Sequence, residues 1–381
     1  MKMKSISLCV ALALLLCAPI SGQQSSDPPA DPPPGWWQIP KTSSRFKIGG
    51  YVKLDIIHDF NPINSPDFFD VSKIPTDGSE GESTHLHAKE TRLFMDVRTP
   101  FKNSEIRTYV EGDFYGTSGA FRLRHAFVEI NDTWLAGQWW SNFMDESIIP
   151  ATLDFEKPAA YAFVRHAMLR WKHSFSTGSY LAVAIEEPTT NAQAPSAPGK
   201  FESPLPDLTA RFRVTKKWGH IQLSAFAAQL RYRYTAGGTD NISLFGGNLS
   251  GQLNLFTADK LIYQVVYGPG IGRYRGGLSA TPDANDNLQA TSDYGLTLGY
   301  QHQWSEKWTS LVLLNHGGVE DTNGQALSDL SQASYAAANL LYHFTKNAFV
   351  GVEYLYGLRK DFSGEDGTAN RLQFSVSYTF N

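Results

Sequence analysis

From Phe46 to Phe380 the chain repeats one pattern, short runs in which apolar and polar residues alternate with a period of two. In the first run Phe46, Ile48, Gly50, Val52, Leu54 and Ile56 oppose Lys47, Gly49, Tyr51, Lys53 and Asp55. In the second, Thr91, Leu93, Met95 and Val97 oppose Arg92, Phe94, Asp96 and Arg98. The last sets Leu372, Phe374, Val376, Tyr378 and Phe380 against Arg371, Gln373, Ser375, Ser377 and Thr379. Successive side chains of a strand point to opposite faces, so each run is a strand with one apolar and one polar side. A soluble sandwich would show the same alternation.

The connections separate the two architectures. About 16 strand candidates can be counted, and their links alternate in length. Short turns fall at Pro100–Ser104, Asn131–Thr133, Lys216–Gly219, Ser305–Lys307 and Thr345–Lys346. Most of the others are long, such as Asn61–Leu86, Asn142–Ala162, Pro188–Leu205, Tyr274–Gln289 and Glu320–Gln332. Short turns on one rim and long loops on the other describe a transmembrane barrel. The expected fold is all-β, a 16-stranded antiparallel barrel around an aqueous channel. An Arg or Lys on the lipid face at mid-membrane costs roughly 2–4 kcal/mol, so the apolar faces look at lipid and the charged faces at water inside.

The N-terminus fits that compartment. Met-Lys-Met-Lys precedes an apolar run from Ile6 to Leu16, and small residues follow. These are the marks of a secretory signal peptide, expected over residues 1–22 and too short to span a bilayer. Both cysteines, Cys9 and Cys17, lie inside it, so the exported chain closes its fold without disulfides. Residues 23–44 hold DPPADPPPGWWQIP, whose dense prolines favour an extended periplasmic leader. The barrel domain is expected over residues 45–381. A formal net charge of −4 gives no basic surface for nucleic acid.

One stretch interrupts the strand pattern conspicuously. GQWWSNFMDESIIPATLDFEKP, from Gly137, starts as a strand and then leaves strand character until about Phe163. Counting makes it the fifth strand followed by the third outer loop, expected to fold into the lumen with Asp145, Glu146, Asp154 and Glu156 on it. Basic residues recur on the inferred inner faces: Lys53, Arg92, Arg98, Arg107, Arg170, Arg211, Arg213 and Arg371. A guanidinium wall facing an acidic loop would set a transverse field across a constriction, and arginine grips carboxylates in a two-pronged geometry. Strand parity excludes Arg165 from the lumen if Arg170 faces it. Parity also puts Arg122 and Arg124 on the face of Ala126, Val128 and Ile130, a mixture that suits a subunit interface better than lipid.

The motifs GQWWSNFMDESIIPATLDF, PDLTARF at 206–212, YGPGIGRY at 267–274 and NLLYHF…GVEYLYGLR at 339–359 resemble those of the DcaP-like outer-membrane porins. The resemblance implies a homotrimer of 16-stranded barrels in the outer membrane of a Gram-negative bacterium. It implies passive diffusion of small hydrophilic solutes, with a preference for anionic ones such as dicarboxylates. The alternatives are an unselective porin and a receptor or adhesin acting through the outer loops. Tyr378-Thr379-Phe380 supplies a C-terminal aromatic pattern for the barrel-assembly machinery. A helical N-terminal extension found in some relatives is replaced here by the proline-rich leader.

Other chemistry finds little support. His85-x-His87 shares one strand face, but no third metal ligand stands at comparable spacing, so no metal site is expected. Gly268-Pro269-Gly270-Ile271-Gly272 has no helix after it and binds no dinucleotide. No G-x-S-x-G run occurs, and serines and histidines are scattered, so neither catalysis nor a cofactor is expected.

Overall fold

The computed structural model describes residues 32–156, 160–256 and 258–380. The expected signal peptide and the start of the leader lie outside them. Sixteen strands hydrogen-bond in chain order into one closed sheet. They are β1 (Arg45–Asp59), β2 (Arg92–Phe101), β3 (Ser104–Asp113), β4 (Arg122–Ile130), β5 (Trp134–Trp140), β6 (Arg165–Ser176), β7 (Ser179–Glu186) and β8 (Asp207–Lys216). The second half comprises β9 (Gly219–Tyr234), β10 (Thr239–Leu255), β11 (Asp259–Pro269), β12 (Ser292–Gln303), β13 (Trp308–Val319), β14 (Leu330–Thr345), β15 (Ala348–Asp361) and β16 (Asp366–Phe380). The ends meet: β1 pairs with β16 from Gly50↔Phe380 to Asp59↔Arg371. Closure leaves no unpaired edge, which a spanning sheet cannot tolerate in lipid.

Burial is inverted relative to a water-soluble fold. Val52 (53% exposed), Leu223 (59%) and Leu314 (54%) stand on the outside, while Lys53, Asp113, Arg124 and Arg371 are each at most 3% exposed. Apolar side chains on the outer surface cost little against lipid, and charges are sheltered inside where they can pair. Among the described residues there is no α-helix, only short 3₁₀ turns in the connections.

Several strands outrun their apolar alternation. β14 and β16 begin at Leu330 and Asp366, earlier than the apolar pattern suggests, because backbone pairing continues above the lipid-facing band. Two outer connections are therefore tight, Tyr234 to Thr239 and Asp361 to Asp366. The second strand is broken instead: Ser83–His87 pairs with the outer half of β1, residues 88–91 leave the ladder, and β2 resumes it from Arg92. At the other rim Trp37–Gln38 pairs with Phe46 and Arg45. Trp36 lies under the guanidinium groups of Arg45 and Arg98, at 5.5 and 5.8 Å. The end of the leader is thus docked at the base of the barrel.

Gly137 in β5 has φ +135°, and a Cβ there would fall 2.2 Å from the carbonyl oxygen of Ala126. Only glycine lets β4 and β5 approach this closely just before the chain turns inward.

Candidate functional site: the third loop and the wall it faces

Beyond Trp140 the chain bends into the barrel, and one buried carboxylate fixes the bend. Glu186, at the outer end of β7, accepts from Ser141 Oγ (2.8 Å), the Asn142 amide (2.7 Å) and Thr209 Oγ1 (2.9 Å). His166 Nδ1 lies 3.0 Å away. With so many donors the ionised group loses little by leaving water.

The loop then runs along the inner wall. Asn248 and Gln222 donate to the carbonyl oxygens of Phe143 and Met144 at 2.9 and 3.1 Å. Arg211 donates to Met144 O at 3.1 Å and to Glu146 at 2.6 Å. Asp145, fully buried, lies 2.7 Å from His220 Nε2 and accepts from Arg213 at 3.3 Å. Burial alone would raise the Asp145 carboxyl, but the His220 contact and the Arg213 charge outweigh it and hold the group down at about 2.

Further along, the backbone amides of Leu153 and Asp154 both donate to Glu353 at 2.9 Å. Lys53 Nζ and Gln373 Nε2 donate to Leu153 O at 2.5 and 3.0 Å. Arg371 bridges Asp154 (3.0 Å) and Asp59 (2.7 Å). On the way out, Ala160 and Ala162 donate to Asn315 and Gln264 at 3.2 and 2.8 Å. The loop is therefore fastened to β8–β11, to β13–β16 and to β1. Its inward fold stands as expected.

The expected charge arrangement does not. Asp145 and Asp154 do not face arginines across a water gap; they are pressed against Arg213, His220 and Arg371 and shut off from solvent. Glu146 is likewise joined to Arg211. Asp145, Glu146 and Asp154 each find a wall cation within reach, and a direct pair in a sheltered site outweighs a field across water. Lys53, Arg211 and Arg371 do point inward, but beneath the loop. Arg213 spans Asp145 and Ser147 Oγ. Glu156 follows Asp154, whose carboxylate accepts its backbone amide at 2.9 Å.

The loop presents an aromatic ring to the opposite wall. Phe155 lies 5.3 Å from the Arg124 guanidinium and 5.6 Å from that of Arg122. Both arginines face the lumen, contrary to the parity reading, because the β3–β4 ladder slips by one residue. Glu111 pairs with His125 while the adjacent Gly112 pairs with Leu123, and Arg124 is the extra residue of the bulge. His125 and Glu129 stay inside as well, so the mixed polarity of β4 is accounted for by the bulge.

Arg165 also corrects the parity reading. It opens β6 opposite Trp140, and its guanidinium packs 5.0 Å from that ring. Parity within β6 holds for His166, Met168 and Arg170, which face inward with Arg170 3.5 Å from Glu129. Arg165 reaches inward because it sits where the loop rejoins the wall.

Around this point arginines outnumber the carboxylates within ion-pair distance of them among the described residues. Asp113 accepts from Arg122 (2.8 Å) and Arg124 (2.9 Å), while Glu111 accepts from Arg124 (2.9 Å) and lies 3.5 Å from Arg92. Arg165 has no carboxylate within ion-pair distance among the described residues, and its buried Nη1 has no hydrogen-bond partner. Towards the periplasmic rim balance returns: Arg98 and Arg107 share Asp96, and Arg98 also meets Glu105.

Comparison with known proteins agrees with this architecture. The outer membrane channel DcaP of Acinetobacter baumannii superposes with a TM-score of 0.79 at 23% identity, over 90% of this chain and 99% of that one. An anion-selective porin from Comamonas acidovorans gives 0.60 at 9% identity, over 88% and 100%. The trimer form of OmpT from Vibrio cholerae gives 0.56 at 12%, over 88% and 99%. At these identities the likenesses establish the fold alone. Among proteins of curated function, none matches the sequence significantly. The profile of the DcaP outer membrane proteins, however, matches residues 37–380, nearly the whole described chain. This chain therefore belongs to the DcaP outer membrane protein family, a family of channels and not of enzymes.

Proposed function

We propose that the channel passes small hydrophilic solutes by diffusion and favours anions carrying carboxylates, dicarboxylates among them. One observation supports the reading: among the described residues, Glu111 and Asp113 are the only carboxylates within ion-pair distance of Arg92, Arg122, Arg124 and Arg165 beside the constricting loop. The surplus charge is placed where the third loop offers an uncharged ring. At an effective dielectric near 20, one charge pair at close range is worth roughly 4 kcal/mol, enough to bias which ions pass. A carboxylate would find planar donors there that match its own geometry.

Unselective diffusion is the second reading, favoured by the close pairing of Asp145, Glu146 and Asp154 with wall cations, which removes the strongest field from the lumen. Export by cleavage after residue 22, a periplasmic leader and assembly as a homotrimer in outer-membrane lipid complete the proposal. The fold shared with OmpT in its trimer form supports the last of these.

Reconstitution in a planar bilayer under a potassium chloride gradient tests the reading. A reversal potential on the anion side is expected, with a dicarboxylate on one side reducing chloride current and a diamine leaving it unchanged. Cation preference would overturn the anionic reading, a potential near zero would favour unselective diffusion, and absence of ohmic channels would overturn passive diffusion.

A further inference from the structure

The first outer loop carries a feature that solute diffusion does not require. It supplies the third ligand that His85 and His87 lack in sequence. Asp67, eighteen residues before His85, is brought over the pair, with Oδ1 2.9 Å from His85 Nε2 and 3.9 Å from His87 Nε2. One ligand atom from each residue lies within 4.8 Å of the others. The two histidines stand two residues apart on the inner face of Ser83–His87, registered against Ile57 and Asp55 of β1.

Two unpartnered atoms give the cluster a direction. His87 is 8% exposed, yet its Nε2, aimed at Asp67, has no hydrogen-bond partner. Asp55 is 1% exposed, and its Oδ2, 3.8 Å from His87 Nδ1, has none either. Asp55 Oδ1 is already occupied by Gln373 and Ser375. Among the described residues the only other polar contact of His87 is a long one, from the Lys89 amide to Nδ1 at 3.4 Å. Buried atoms without partners are costly and call for an explanation. A single rearrangement satisfies both at the expense of the long Lys89 contact: the ring proton sits on Nδ1 and points at Asp55, leaving the Nε2 lone pair free for a cation. That is the carboxylate–histidine–metal relay in which an outer carboxylate fixes the tautomer of a metal-binding imidazole.

We propose that Asp67, His85 and His87 bind a divalent transition-metal ion of the zinc type, with Asp55 orienting His87 from behind. Two imidazoles and one carboxylate suit borderline ions such as Zn²⁺ and leave positions open for water. Ligand atoms around tetrahedral zinc lie about 3.3 Å apart, so the ring of Asp67, His85 and His87 has to tighten by about an ångström. Asp67 need not release Lys89: the ammonium holds Oδ2 at 2.5 Å, while the metal takes Oδ1. Binding would also pin the first loop beside the third, since Phe68 packs 5.6 Å from Phe155 and the Phe69 amide donates to Asp154 at 3.2 Å.

The test is isothermal titration of the untagged, EDTA-treated, detergent-solubilised full-length protein with Zn²⁺ alone. One ion per chain is expected at micromolar concentration, weakened tenfold or more in Asp67→Asn, His85→Gln and His87→Gln. His302→Gln, at the far rim beside Asp259, should leave binding unchanged. Heat-modifiable migration reports barrel folding in every variant. Should His87→Gln fail to fold, His85→Gln decides, because His85 is partly exposed and its loss opens no buried gap. Absence of binding below millimolar Zn²⁺, or binding that His85→Gln leaves intact, overturns the proposal.

Discussion

The inner wall divides into two regions built from the same residue types. On β8, β9, β16 and β1, the cations Arg211, Arg213, Arg371 and Lys53 and the imidazole of His220 are matched by loop and wall acids or backbone carbonyls. On β2–β4 and at the start of β6, Arg92, Arg122, Arg124 and Arg165 exceed their carboxylates. The first region holds a loop and the second is left to act on solutes. An arginine on an inner face is therefore not yet a selectivity residue; its role depends on whether a carboxylate has already taken it.

Exchanging charges between the regions breaks the comparison most strongly at Arg371. This side chain is fully buried between Asp59 and Asp154. Arg371→Met leaves two carboxylates without their cation, a defect that costs about 3–5 kcal/mol. Urea unfolding in lipid vesicles should show a clearly lowered midpoint, and single-channel conductance should rise as the third loop loosens. An unchanged midpoint would mean the loop is not held by this bridge.

Arg165→Gln should do the reverse. Removing a buried charge that has no carboxylate within ion-pair distance among the described residues relieves repulsion from Arg124 and Arg122, so the urea midpoint is expected to hold or rise. The reversal potential should move several-fold toward zero permeability bias, and Arg165→Glu should carry it further. Loss of stability without loss of selectivity in Arg165→Gln would merge the two regions into one.

A smaller effect, with a pH signature, is expected at Asp145. Its folded carboxyl is held down at about 2 from an ordinary value of 3.8. A depressed carboxyl contributes stability that is fully present above the unfolded value and is lost as pH falls through the folded one. Between pH 4 and pH 2 the urea midpoint of the wild type should therefore fall more steeply than that of Asp145→Asn. Parallel curves for the two proteins would remove Asp145 from the loop's anchorage.

Period and loop length were sufficient to read the barrel, its strand order and the inward third loop, because lipid imposes alternation and closure on every strand. The inner faces of β2, β3, β8 and β16 were legible for the same reason. What escaped was local. A bulge at Arg124 reverses parity for two residues without altering composition, and the only hint was the odd polarity of β4. Arg165 lies at the junction of loop and strand, where alternation gives no rule. Glu186 and Glu353 anchor the loop from opposite sides of the lumen, and both accept from backbone amides of the loop, which no side-chain pattern can announce. Asp67 meets His85 only because the first outer loop folds back. Charge pairing is a property of the closed barrel, while a single strand discloses only which face is wet.

The smallest expected effect sharpens the comparison from outside both regions. Arg359 lies near the outer rim of β15, where it meets Asp361 (2.8 Å) and donates to backbone carbonyl oxygens of Ser72 and Ser328 at 2.8 and 2.7 Å. It is paired like Arg211, yet it stands away from the constriction like any vestibule charge. Exposed charges more than about 8–10 Å from a permeating ion are largely screened at physiological salt. Arg359→Glu should consequently shift the reversal potential far less than Arg165→Glu in 0.15 M salt. The gap between them should narrow when salt is lowered tenfold, because the Debye length then triples. Equal shifts at both salt concentrations would mean that selectivity is spread over the whole lumen, and the surplus beside the third loop would lose its special standing.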